Sequence, residues 1–529
     1  MLDTPAALSC DVTGRPPLPS SDSPEAYNLI YGWISDCLAK HDVCRRTLSG
    51  ISIDESFPPV LPTRIIHVGR PNEAICPRLV ETNGETGHYV ALSHCVEFAA
   101  DSSLHMTTQT TLKNRLASIP CDTLPKAYQD AISVTHRLGL EYIWVDSLCI
   151  IQDSEIDCLY ESSRKGTVFQ SARLTIAASH ATNSSESCFF PRPELPLSIE
   201  LQHLSCTGQP RGTIFAISRP DVDNGHPQIL PEFTPLASHA HATEEILLSR
   251  RIMFYTPANL VWCCKRTNQC ETGTSFHSTC RNPSWRVVVE KHAARTCTKP
   301  SDRLAALEGV RVEISKKHKT GVYCFGLWQH QMPAHLLWYC LKPAQRAHSG
   351  INPPTWTWAS TTCSVLFNKT ELSSLTNECK GLRFDESSKT LTFGGVMKRL
   401  PRIVPFTDQP KWSNASLEEV LSPLHLLHRT PPGDQKRYIL SEDGAVIGWA
   451  LLDEPDTPST GLRCIRITRK MLTKNNTKNA VHRRLYREWV LLVPGSEDDL
   501  GRFQRIGMGV ITTLSPWFED QATTQIHLG

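Results

Sequence analysis

Five residues in the first third of the chain have the types and positions for chemistry on a small molecule. Ser93 and His94 follow the apolar run Tyr89–Leu92, and Asp146 and Ser147 follow Tyr142–Val145. Glu161 comes next, within a stretch of helical pattern. A fixed carboxylate beside hydroxyl groups can hold ribose hydroxyls and stabilise an oxocarbenium-like transition state, the requirement of glycosidic cleavage. His94 would titrate near neutrality. Each residue also has a quieter reading, and both stay open. Glu161 and Lys165 stand at i and i+4, the spacing of a solvated helix pair worth roughly 0.2–0.5 kcal/mol. Asp146 is equally suited to capping backbone N–H groups where its strand ends. A lone histidine commonly serves packing or hydrogen bonding.

Other groupings carry less. Cys37, His41 and Cys44 fall at i, i+4 and i+7, so they could begin a zinc site, but a fourth ligand and a paired Cys-x-x-Cys are missing. A core-facing stripe is expected there instead. Cys264, Cys270, His277 and Cys280 match no common zinc spacing, so no metal is expected at either place. The basic stretch Lys470–Arg487 has one aromatic residue and no reading module; it is expected to be a solvated loop, with nucleic acid not a partner. Neither G-x-x-x-x-G-K-[ST] nor G-x-G-x-x-G occurs in the first domain. ATP-driven and dinucleotide-redox chemistry of those types is disfavoured, and no cofactor is expected.

The elements that must position these residues follow from periodicity. Residues 26–46 predict an amphipathic helix with Ile30, Trp33, Ile34 and Cys37 on one face. Short strands are expected at 63–68 and 77–81, and a buried strand at 88–95. Leu112, Leu116 and Ile119 mark a short helix that Pro120 stops. Thr123 is a candidate cap for the next helix, whose stripe is Tyr128, Ala131, Ile132 and Leu138 and which Gly139 closes. A strand over 142–145, a helix opened by Ser154 and Asp157, and a strand over 174–178 complete the pattern. Alternating strands and helices predict an α/β, Rossmann-like, mostly parallel sheet flanked by helices. Ligands of such sheets bind beyond the carboxyl ends of the strands. Residues 191–245 read as a Pro-rich excursion. Residues 246–350, with LLSRRIMFY and FGLWQHQMPAHLLWYCL, read as helical. Residues 351–529 read as a β-rich domain. The expected division is 1–75 (helical extension), 76–190 (α/β domain), 191–245, 246–350 and 351–529.

The chain has 529 residues, too many for one ordinary core. With 40% hydrophobic and 20% charged residues it is globular. Lys plus Arg is 55 against 53 for Asp plus Glu, and this near balance argues neither for nucleic acid nor for an anionic membrane. Met1–Gly14 has no apolar signal core, and no apolar run is long enough to span a bilayer. A cytoplasmic protein whose 20 cysteines are reduced is expected.

Several blocks resemble the fungal heterokaryon-incompatibility (HET) domain. Tyr89-Val90-Ala91-Leu92-Ser93 is similar to its first block, Ile119–Asp153 (IPCDTLPKAYQDAISVTHRLGLEYIWVDSLCIIQD) to its second, and Gly166–Ala172 followed by LTIAASHA to its third. Beyond these, LLSRRIMFY with LVWCC, LWQHQMPAHLLWY and Pro354–Ser360 resemble segments of large fungal members. The resemblance implies a fungal intracellular protein of allorecognition and programmed cell death, which self-associates or binds other proteins through this domain. It also implies a distant relation to Toll/interleukin-receptor (TIR) domains, some of which cleave NAD. By that analogy NAD is the substrate, Glu161 is the catalytic acid, and Ser93, His94, Asp146 and Ser147 bind the ligand. Three segments of the family are altered at aromatic positions. Its Ser-Tyr-Cys-Trp-Gly is Ser93-His94-Cys95-Val96-Glu97 here, the Trp of Asp-Trp-x-x-Glu is Cys158, and Arg-Ala-Trp-Thr-x-Gln-Glu is His239–Glu245. An inactive member that works by assembly is the rival implication.

Overall fold

Helix formation begins at Ser23, whose hydroxyl accepts the Ala26 N–H, with Pro24 in the first turn where its missing donor costs nothing. The resulting helix α1 (Pro24–Lys40) buries Ile30, Trp33 and Cys37. It ends at His41, and a 3-10 turn, Asp42–Arg45, follows. A computed structural model of the chain describes residues 14–15, 17–95, 105–190, 198–217, 231–275, 283–297, 302–318, 321–342, 346, 353–368, 376–406, 436–475 and 482–529. These fold as two compact units. Unit 1 is Met1–Pro283 with Ala306–His318, and unit 2 is Ser284–Ala305 with Lys319–Gly529. Among the described residues no helix is long and apolar enough to cross a membrane.

In unit 1, α1 is followed by β1 (Arg64–His67), β2 (Arg78–Glu81), β3 (Tyr89–Ser93), α2 (Leu112–Ala117), α3 (Lys126–Arg137), β4 (Tyr142–Trp144), α4 (Asp146–Cys149), α5 (Glu155–Ser171) and β5 (Leu174–Ala177). Then come a hairpin of β6 (Ser198–Leu204) and β7 (Pro210–Ile217), α6 (Ala242–Leu248), β8 (Arg251–Tyr255), β9 (Leu260–Cys264) and β10 (Asn268–Cys270). Eight strands form one sheet in the order β10-β9-β8-β5-β3-β4-β1-β2. The central four, β8, β5, β3 and β4, are parallel. The flanking pairs run antiparallel. The sheet is therefore mixed α/β with a parallel centre.

Both faces of the sheet are covered. Along β8, Met253 and Tyr255 join one core with Trp144 and Phe169, while Ile252 and Phe254 join another with Ala242 and Ile246. Successive strand side chains point to opposite faces, so this alternation marks a strand buried twice over. It also explains why LLSRRIMFY does not continue as the expected helix. The helix stops at Leu248, and Arg251–Tyr255 is a strand in parallel register with β5, pairing Thr175 with Ile252. An apolar run with no polar alternation carries no period that separates the two states. FGLWQHQMPAHLLWYCL likewise contains the short strands Leu327–Trp328 and Trp338–Cys340 and only a four-residue helix.

Smaller expectations also change. Thr123 lies in a 3-10 turn with its hydroxyl bonded to Pro120 O, and α3 begins after Pro125 with no side-chain cap. Ser154 does cap α5, but Asp157 turns away to accept the Ile151 N–H and to pair with Arg64. Gly139 ends the α3 segment at φ +69°, a conformation glycine adopts without strain.

Unit 2 is β-rich. Its main feature is a ten-stranded antiparallel sheet, whose longest ladder pairs Leu462–Asn475 with His482–Pro494. The basic stretch Lys470–Arg487 is thus the distal part of a strand hairpin rather than the expected loop, with residues 476–481 outside the description. Inside the unit, the buried Arg505 guanidinium stacks 3.4 Å from the Trp338 ring centre and bonds Asp453 at 3.1 Å.

Candidate functional site

The connections of the parallel strands diverge at one place. From β3 the chain passes to β4 on one side, and β5 then returns to the other side of β3, with β8 beyond it. The crevice past the carboxyl ends of β3 and β5 is therefore the switch point where an open α/β sheet binds ligands. Ser93 ends β3 there, paired with Ala177 of β5.

Seven side chains from five segments converge around Ser93. Its hydroxyl donates to Glu245 Oε2, brought over the crevice by α6. Lys165 of α5 reaches Glu245 Oε1 at 2.7 Å and Asp146 Oδ2 at 3.3 Å. Asp146 opens α4 directly after β4, and its Oδ1 accepts the Ser147 N–H at 2.8 Å. A second line of bonds ends on the same carboxylate. His94 Nε2 lies 2.9 Å from the Tyr128 hydroxyl, which donates to Ser147 Oγ at 3.0 Å, and that hydroxyl lies 3.4 Å from Asp146 Oδ1. With Tyr128 donating onward, His94 Nε2–H is the donor to Tyr128, so a chain of donors points at Asp146. His241 Nε2 donates to His94 O at 3.2 Å.

Charge balance inside this group is set by burial and by Lys165. Burial alone would raise the Asp146 carboxyl, but Lys165, then His94 and His241, outweigh it and hold it well below the usual range. Burial would likewise lower the Lys165 ammonium, yet Glu245 and Asp146 push it up. His94 is pushed down by burial, against the pull of Asp146 and Glu245. Ser93, Glu245 and Ser147 are buried, whereas the Asp146 and Lys165 side chains keep 23% and 20% of their exposure. That pair is where a ligand can meet the group: an ammonium for a phosphate and a carboxylate for a hydroxyl.

Glu161 stands elsewhere. It lies one helical turn before Lys165, is 3% exposed, and has Oε1 3.9 Å from Arg64 Nη2. Arg64 is itself held by Asp157 and by Cys149 O. Glu161 Oε1 has no hydrogen-bond partner among the described residues. The expected i, i+4 pair with Lys165 does not form, because Lys165 turns to Asp146 and Glu245 instead. The sequence reading thus named Ser93, His94, Asp146 and Ser147, which the fold brings together, and Glu161, which it buries beside Arg64. It missed Lys165, Glu245, Tyr128 and His241. One signal was available: Glu245 retains the final acid of the family segment that His239–Glu245 otherwise alters.

A cavity of about 510 Å³ lies at the other end of the strands, lined by Arg45, Glu55 and Arg173 among others. Arg173 precedes β5, so this is the amino edge of the sheet, and the carboxyl edge remains the better candidate. A fourth ligand for Cys37, His41 and Cys44, missing from local spacing, is present as Cys264. His277 and Cys280 lie outside the described residues, as do Val96 and Glu97.

No curated protein and no solved structure matches the chain. Residues 89–209, from β3 to the β6–β7 hairpin, match the family model described as Heterokaryon incompatibility protein (HET). That match begins at the strand carrying Ser93 and includes Tyr128, Asp146, Glu161 and Lys165, so the chain is a heterokaryon-incompatibility (HET) domain-containing protein.

Proposed function

We propose that this protein acts in the cytoplasm in fungal allorecognition and programmed cell death, and that unit 1 is a TIR-like domain cleaving a ribosylated substrate of the NAD type. The observation that carries the reading is the meeting of Ser93, Asp146, Lys165 and Glu245 over the crevice between β3 and β5. Lys165 would draw the diphosphate and Asp146 would accept ribose hydroxyls. Glu161, buried one helical turn before Lys165 with no hydrogen bond to its Oε1 among the described residues and Arg64 at 3.9 Å, would supply the negative charge that steadies an oxocarbenium-like centre. Water then adds at the anomeric carbon, the N-glycosidic bond breaks, nicotinamide leaves neutral, and one proton is released.

The test is nicotinamide release from NAD by the purified full chain. Glu161→Gln is expected to lower kcat by about 10²–10³-fold while the melting temperature stays within a few degrees, whereas Lys165→Ala is expected to lower kcat similarly and also the melting temperature, because Asp146 and Glu245 lose their shared cation. Folded wild type that releases no nicotinamide, or variants that match it, would remove the enzymatic part.

A second reading, assembly without catalysis, is favoured by one surface. Ile156, Leu159 and Tyr160 of α5 are 84%, 68% and 53% exposed, at the i, i+3, i+4 spacing of one helical face. The paired change Ile156→Glu with Leu159→Glu is expected to reduce the solution mass by light scattering from an oligomer to one chain. An unchanged mass would dispose of this reading.

A further inference from the structure

The carboxyl end of α1 and the β9–β10 turn meet in a group of four side chains that nothing at the strand tips uses. Cys37 lies in the last turn of α1, His41 is its C-cap, and Cys44 sits in the 3-10 turn that follows. Cys264 ends β9 and stands 223 residues after His41. One ligand atom from each of the four lies within 4.8 Å of all the others, and His41 Nδ1 is 3.5 Å from Cys264 Sγ. Metal–sulfur and metal–nitrogen bonds of about 2.3 and 2.0 Å around a tetrahedral ion give edges of roughly 3.5–3.8 Å. The gathered atoms are therefore close to that arrangement already. None of the three cysteines is in a disulfide.

The surroundings suit thiolates rather than packed thiols. The Arg266 and Thr267 backbone N–H groups donate to Cys264 Sγ at 3.4 and 3.3 Å. Arg251 Nε donates to Cys37 Sγ at 3.3 Å, and its Nη2 is fixed by Glu55 at 2.6 Å. Donors aimed at ligand sulfur are the outer partners that orient and tune a metal site. A dication with three thiolates and a neutral imidazole carries one negative charge, and the Arg251 guanidinium beside Cys37 offsets it.

We propose that Cys37, His41, Cys44 and Cys264 bind one zinc ion in a closed Cys3His shell. Sulfur-rich ligands with one imidazole in a tetrahedron select zinc, and four protein ligands leave no open position, so the site is structural and not catalytic. It clips the end of α1 to the β9–β10 hairpin, two pieces that flank the family-matched stretch on opposite sides in sequence. Local spacing concealed it because three ligands are neighbours and the fourth comes from a distant hairpin.

The test is elemental analysis of the full chain, expressed with zinc and passed through gel filtration. One zinc per chain is expected, with an X-ray absorption shell of three sulfurs near ~2.3 Å and one nitrogen near ~2.0 Å. Cys44→Ser and Cys264→Ser are expected to lose the metal, and Cys270→Ser, on the next strand, to keep it. A folded wild type without zinc, an oxygen-rich shell, or a disulfide between any two of the three cysteines would overturn the proposal. So would loss of zinc in Cys270→Ser with retention in Cys44→Ser. The wild-type shell decides the matter even where a serine variant fails to fold.

Discussion

Glu244 shows how one position on α6 can make the protein sensitive to pH. Burial pushes its carboxyl up to about 7, against the smaller pulls of Lys165 and the Gly309 N–H. Its unfolded value is near ~4.3, so the folded chain holds an extra proton between the two values. Stability from this group is complete below the unfolded value and is lost as pH rises through about 7. Glu244→Gln keeps an acceptor for Gly309 but has nothing to ionise. Its melting temperature should match wild type below pH 4 and exceed it by several degrees at pH 8; a gap that stays constant over that range would refute the account. The strand-tip residues were legible in sequence because a polar residue closing a buried strand stands out within a few positions. Lys165 and Glu245 were not, since each owes its role to a partner far along the chain. The i, i+4 rule assigned Lys165 to its nearest acid, whereas the fold offered it Asp146 and Glu245.

Among the elements, the contact of α5 with the helix Glu308–His318 is set by two glycines. A Cβ added at Gly166 would come 2.8 Å from Leu248 Cδ1 and 3.1 Å from Gly309 Cα, so the two backbones could not approach as they do. Gly166→Ala is expected to destabilise unit 1 by about 1–3 kcal/mol, read from denaturant unfolding. A neutral result would mean that the helices simply shift apart. Elements with a clear period were readable: α1, α3 and α5 each declared a stripe, a cap or a closing glycine. Arg251–Tyr255 was not, because a strand buried on both faces loses the alternation that identifies it. The Lys470–Arg487 hairpin was missed for the opposite reason, its charge suggesting a loop where cross-strand pairing extends the sheet.

At the scale of the molecule, the α/β unit followed by a β-rich one was visible in composition and punctuation, while the strand order was not. That order has a practical corollary. The family-matched span 89–209 contains β3, β4 and β5 but neither β1 nor β8. In the intact sheet β1 covers the outer side of β4, and β8 covers the outer side of β5. A fragment trimmed to that span would be a three-stranded remnant with both borders stripped, each showing a row of unanswered N–H and C=O groups. We expect it to precipitate or form fibre-like aggregates on expression, while the full chain stays dispersed, as sedimentation would reveal. The family-matched span, in other words, is not the smallest piece that can live alone.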